Sequence, residues 1–378
     1  MSHIRSTSFY TNLREKIHLL GGLYNAHLHL DRAGTYDETV KLLNNVGDEG
    51  VSHLSLPKKH SLIPMIHASS CYDPDLLEQR VDGYVELMIN AGTTRADTVV
   101  DVTDDCVGRQ AYDRFLRIKE RRSGVLDLQV GAYSPLGFRD DEPRRWALLE
   151  EVAESADFIG ALPERDDREP YPEHIGFEEN CRRMLLLTAR LGKPIHIHVD
   201  QQNHEMEAGT ECITRVVRDL GLGCKGSSEP QVWLVHVISP STYDEARFKT
   251  LVESLVDLNI GVICCPSAAI SMLQVRPYMS PTYNSIARVL DMLATGVHVR
   301  LGSDNICDIT SPAGTTDLVD EVFILSNAMR YYDLDIMAKL GAGHALDAHD
   351  REKIRAHLRE SAETVNGVVS RYGNLERQ

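Results

Sequence analysis

The run Tyr24-Asn25-Ala26-His27-Leu28-His29-Leu30-Asp31 places two histidines one residue apart. On an extended strand, alternation turns both imidazoles to one face and makes a preformed pair of ligands for a borderline divalent metal. A His-x-His pair also arises by chance in a chain with 16 histidines, and a buried histidine with one polar partner is an ordinary core residue. The pair therefore gains its weight from further donors. They are present in Pro194-Ile195-His196-Ile197-His198-Val199-Asp200-Gln201, in Val235-His236-Val237 and in Leu301-Gly302-Ser303-Asp304-Asn305. Three or four imidazoles and a carboxylate gathered at one end of a fold suit zinc or ferrous iron, with a coordination position left open to water.

Gathering them is the work of the elements between. Short β-rich runs cover Tyr24 to Asp31, Thr93 to Val102, Leu126 to Ser134, Phe158 to Leu162, Pro194 to Asp200, Val232 to Ser239, Ile260 to Ser267 and Val297 to Ser303. Helical patterns sit between them, such as Glu78 to Met88 and Cys181 to Leu191, the second closed by Gly192. Eight alternations predict an α/β fold, a (β/α)8 TIM barrel, whose catalytic face is formed by the C-terminal strand ends. A doubly wound sheet is the competing architecture, but no Gly-x-Gly-x-x-Gly follows an early strand. The metal-type residues all fall at the ends of candidate strands one, five, six and eight.

With 378 residues, 42% hydrophobic and 25% charged, the chain reads as one soluble barrel domain over 1–378. An insertion over about 35–90, holding His60 and His67, is read either as a lid over the barrel mouth or as an external packing helix and loop. Helices are expected over 314–378, ending in a polar tail. A formal net charge of −16 with scattered basic residues argues against a nucleic-acid partner. No apolar window approaches a membrane span and no signal-peptide core follows Met1, so a cytoplasmic location is expected. The eight cysteines form no Cys-x-x-Cys pair and read as reduced core thiols. The expected partner is a small-molecule substrate, and a homodimer is the ordinary assembly for such an enzyme.

His27-Leu28-His29-Leu30-Asp31, His198, His236 and the Gly302-Ser303-Asp304-Asn305 turn together resemble the amidohydrolase superfamily, and within it the cytosine deaminase branch. Leu126 to Val130, Gly160 to Pro163, Ile197 to Asp200, Cys265-Pro266-Ser267 and Gly296 to Asp304 follow that branch in order, from about residue 22 to about residue 345. The resemblance implies that His27, His29, His198 and Asp304 hold one divalent metal, zinc first and ferrous iron second, while His236 faces the activated water or the substrate. His196, two steps deeper on the strand-five face, is expected to support rather than ligate. The bridging lysine of binuclear members is lacking after strand four, where Glu164 is expected to be a solvated loop carboxylate unless it bridges a second metal.

The departures are as informative. Gln201 stands where the deaminase branch has a proton-shuttling glutamate, and an amide does not titrate in the working range. Pro135 stands where the cytosine enzymes present a substrate-reading glutamine, and their small β-sandwich is not expected here. A metal still activates water without a glutamate, so the expectation is hydrolysis of a C–N bond, by deamination or by amide or amidine hydrolysis, in a small nitrogen heterocycle. Asp304, His236 and Gln201 are the expected catalytic residues; Gln201, His236 and Asn305 are the expected substrate contacts. An isomerase, lyase, cyclisation or dehalogenation enzyme on the same scaffold, or a catalytically silent binding protein, are the alternatives.

Overall fold

The computed structural model describes residues 7–43, 52–223, 228–272 and 285–371. Eight parallel strands follow chain order around one sheet: β1 (Leu23–Leu28), β2 (Thr93–Asp101), β3 (Asp127–Tyr133), β4 (Phe158–Ala161), β5 (Ile195–Val199), β6 (Val232–His236), β7 (Ile260–Cys264) and β8 (Val299–Leu301). Each lies within the corresponding run expected from sequence, except that β1 begins one residue earlier, at Leu23. The sheet closes through a parallel bridge between Leu28 and Asp304. Asp304 N–H donates to the His27 carbonyl at 3.0 Å, and His29 N–H donates to the Asp304 carbonyl at 3.2 Å. The protein is therefore an α/β (β/α)8 TIM barrel.

Alternation along the strands sorts side chains between two interiors. Ile195, Ile197 and Val199 of β5, with Leu128, Val130 and Ala132 of β3, point outward into the large core beneath the helices. Tyr24, Ala26, Trp233, Val235, Ile263 and Cys265 fill the barrel itself. Small residues make room for this filling: a Cβ on Gly261 would lie 2.4 Å from the Trp233 ring. On β1 the register against β2 shifts between Asn25 and Leu28. Below the shift Tyr24 and Ala26 face inward; above it Leu28 and Leu30 join the outer core, which leaves His27 and His29 to the barrel axis. This irregularity decides which way the histidine pair points.

Helices surround the sheet. The helix Phe177–Leu191 ends at Gly192 in the left-handed region with φ 65°, as the sequence predicts, and Glu78 to Met88 lies inside the helix Pro74–Ala91. The insertion after β1 contains short helices at Leu56–His60 and Ile63–His67. Helices at Val319–Met329, Leu334–Gly341 and Ala348–Arg371 follow β8; the expected tail beyond 371 lies outside the described residues. No helix among the described residues is long and apolar enough to cross a membrane. The cysteines depart from expectation: among the described residues Cys181, Cys264 and Cys265 are buried thiols, whereas Cys106 is exposed and Cys71, Cys212 and Cys307 are half-buried on helix and loop surfaces.

Candidate metal centre

His27 and His29 of the β1 end, His198 of β5 and Asp304 after β8 are all buried and offer ligand atoms within 4.8 Å of one another. His198 Nδ1–H donates to the Ala161 carbonyl at 3.0 Å, which leaves its Nε2 as a lone pair. That Nε2 lies 2.9 Å from His27 Nε2 and 3.2 Å from His29 Nε2. Burial and the surrounding imidazoles hold His27 and His198 well below the ordinary histidine range, so both are neutral. Asp304 Oδ1 is buried without a hydrogen bond, 3.3 Å from His29 Nε2 and 3.8 Å from His27 Nε2. Imidazole nitrogens and an unbonded carboxylate oxygen thus converge on one buried point. This donor set, nitrogen and oxygen with no thiolate, fits one divalent ion of the zinc or ferrous type.

The support around the ligands is specific. His27 Nδ1 lies 3.3 Å from His196 Nδ1, and the His196 ring packs on Phe158 with centroids 4.3 Å apart; His196 backs a ligand from deeper in the barrel. Arg32 donates to His29 Nδ1 at 2.6 Å. A neutral imidazole that accepts at Nδ1 carries its proton on Nε2, so ligation through Nε2 requires Arg32 to release this bond. Asp101 Oδ2, 3.4 Å from Arg32 Nε, is its other partner. Asp101 in turn accepts from His67 Nε2 at 3.0 Å, while His67 Nδ1 bonds Asp105 at 2.6 Å. Although burial disfavours its charge, these two carboxylates raise His67 to about 9.

Backbone strain gathers at the same end. Asp200, His236, Val237 and Asp304 have φ of 56°, 80°, 50° and 58°, conformations that cost non-glycine residues about 1–3 kcal/mol each. On β6, Trp233 and Val235 face inward, so alternation alone would turn His236 outward. The positive φ returns its imidazole to the axis, where Nε2 stands 3.9 Å from Asp304 Oδ2 and Nδ1 has no hydrogen bond. Burial keeps His236 below the ordinary range. Burial opposes ionisation of Asp304, but His29, His236 and His198 outweigh it and hold the carboxylate well below its usual range. Asp200 accepts the N–H of Gly209 at 2.8 Å and of Thr210 at 2.9 Å. It thereby caps the helix Gly209–Asp219 from β5.

A cavity of about 300 Å³ opens above Asp304 and His236, lined also by Gln201, Ile238, Ala268 and Met272, and by Leu54, Leu56, Pro57 and Lys59 of the insertion. Lys59 Nζ donates to the Thr310 carbonyl at 3.1 Å, tying the insertion to the loop after β8. A smaller adjoining recess brings together His29, His60, Tyr133, His198, Gln201 and Asn305. Of the residues expected to contact substrate, Gln201 and His236 line both spaces. Asn305 lines the recess but its amide donates to Asp308. Glu164 departs from its expected place in solvent: it is half-buried, with Oε2 accepting from Gln201 Nε2 at 2.8 Å. Burial, then Glu207 and Asp200, push its carboxyl well above the usual range. Sequence reasoning missed Arg32, Tyr133 and the inward role of His67; the Asp31-Arg32 pair directly after the histidines was the available signal.

Comparison with known proteins bears on this geometry. No family model matches the chain. An uncharacterized protein of Haemophilus influenzae is 30% identical over 295 residues, covering 77% of this chain and 97% of that one. The chain belongs to the family of that protein. N-isopropylammelide isopropyl amidohydrolase of a Pseudomonas species is 23% identical over 251 residues, 66% of this chain and 55% of that enzyme. Among solved structures, 5-methylcytosine deaminase from Klebsiella pneumoniae liganded with 5-fluorocytosine superposes with a TM-score of 0.71 at 22% identity, covering 85% of this chain and 72% of that chain. The barrel thus has the fold of amidohydrolase-superfamily enzymes, whose members named here act on carbon–nitrogen bonds of small heterocycles.

Proposed function

We propose that the protein is a metal-dependent hydrolase that cleaves a C–N bond, other than a peptide bond, in a small nitrogen heterocycle. The observation that carries this reading is the constellation of His27, His29, His198 and unbonded Asp304, the last of which lines a cavity of about 300 Å³. The names of its amidohydrolase and deaminase relatives support the bond type. A divalent ion held by these four residues would lower the pKa of water toward ~7 and polarise an electrophile.

The chain's own residues do the rest. Asp304 accepts the proton released as water adds to the ring carbon through oxygen. His236, neutral and 3.9 Å from Asp304 Oδ2, passes that proton to the departing nitrogen as the C–N bond breaks. The amine leaves neutral and the ring keeps the oxygen. Such assistance contributes ~10²–10⁴-fold. Leu54, Leu56 and Pro57 cover the mouth as a lid, and with Ile238 and Met272 they exclude bulk water and give the substrate an apolar wall. Gln201, which cannot titrate, orients the ring.

The test is product analysis in heavy-oxygen water with a panel of aminotriazines and aminopyrimidines. Hydrolysis places one labelled oxygen in the ring product and releases an amine. Turnover without label would instead support an isomerase, lyase or cyclisation reaction.

A further inference from the structure

Gln201 follows β5 and is buried in the wall between two spaces. One is the cavity holding Asp304 and His236; the other is the smaller recess that it shares with His29, Tyr133 and His198. A primary amide has one donor end and one acceptor end, and in a buried wall each end must meet its complement. The donor end is taken: Nε2 bonds Glu164 Oε2 at 2.8 Å, and the Gln201 backbone N–H acts on the same carboxylate. Glu164 is itself held on a fixed turn, Pro163–Asp166. There the Asp166 side chain accepts from Phe138 N–H at 2.7 Å and from Asn180 Nδ2 at 2.6 Å. The amide plane is therefore clamped by its nitrogen, which sends the carbonyl oxygen away from Glu164.

We infer that Glu164 is a positioning residue that turns the Gln201 carbonyl oxygen toward the metal cavity, so that the protein selects heterocycles carrying a ring N–H beside the carbon that loses its amine. The substrate class rests on the hydrolytic reading above; the orientation of the amide does not. A ring N–H donates to that oxygen, whereas a ring that presents a bare lone pair or a methyl group leaves it buried and unpaired. A site built for such a bond rejects the analogue lacking it by a large factor, ~10²-fold or more.

Two arms test this on the zinc-loaded protein. Neutron diffraction of the deuterium-exchanged protein is expected to show both amide deuterons of Gln201 on the Glu164 side. A deuteron carried by Glu164 and donated to Gln201 Oε1 would overturn the inference. In the second arm, an aminotriazinedione and an aminopyrimidinedione are assayed for amine release, each with the ring nitrogen beside the amine-bearing carbon free or methylated. The wild type should prefer the free N–H forms by ~10²-fold in kcat/KM. In Glu164→Leu the amide nitrogen loses its acceptor and the preference should fall below ~5-fold, while Glu164→Asp keeps most of it. A preference unchanged in Glu164→Leu is steric and overturns the inference. Absence of turnover across the whole panel counts against the hydrolytic reading alone, and the neutron arm then decides the inference.

Discussion

Asp304 and His27 are joined through the backbone as well as through the site: Asp304 N–H donates to the His27 carbonyl at 3.0 Å, while their side chains face each other at 3.8 Å. The last seam of the barrel and the assembly of the metal centre are one event. Anything that opens the seam between β8 and β1 moves a ligand from each side of it.

Gly302 makes that seam possible. A Cβ there would lie 2.6 Å from the His27 carbonyl oxygen and 3.0 Å from its nitrogen, a backbone contact that no side-chain rotation relieves. Gly302→Ala should destabilise the protein by ~1–3 kcal/mol in urea unfolding and lower its metal content. Gly83→Ala, at a helix surface position where a Cβ meets nothing within 4 Å, serves as the control and should be neutral or slightly stabilising.

His67 ties the insertion to β2 through Asp101 and Asp105. Its pKa rises from 6.5 unfolded to about 9 folded, so its contribution is complete below pH ~6.5 and is lost as pH climbs through 9. The gap in unfolding free energy between wild type and His67→Gln should therefore be widest near pH 6 and shrink by ~3 kcal/mol by pH 9.5. A gap that widens with pH would show that His67 is buried neutral.

How much of this was legible beforehand follows from range. The eight strands show in sequence because each is a local apolar run ending in polar residues, and His27, His29, His198, His236 and Asp304 sit at those ends. The direction of His27 and His29 depends on a shift of register against β2, which alternation on a single strand does not encode. The His236 imidazole faces inward through a positive φ, likewise silent in composition. Gln201 reads as a lost glutamate until its partner Glu164, 37 residues earlier in the chain, is seen beside it. Arg32, Asp101 and His67 form one network from three separate elements, and no local pattern joins them.

Asp200 connects β5 to the helix Gly209–Asp219. Asp200→Ala removes two charge-assisted caps and puts alanine at φ 56°; it should cost ~2 kcal/mol, read by thermal unfolding. Asp200→Asn tolerates the left-handed backbone and keeps one acceptor, so it should lose about half as much. If the two variants unfold alike, the cap is not what Asp200 supplies.

The central claim is that His27, His29, His198 and Asp304 hold one divalent ion, and metal analysis of the purified protein by emission spectroscopy tests it most directly. The predicted result is about one equivalent of zinc or iron per chain, present on isolation or regained on reconstitution, and lost in His27→Ala and Asp304→Ala. Less than about a tenth of an equivalent, with no gain on reconstitution with either metal, would contradict the account.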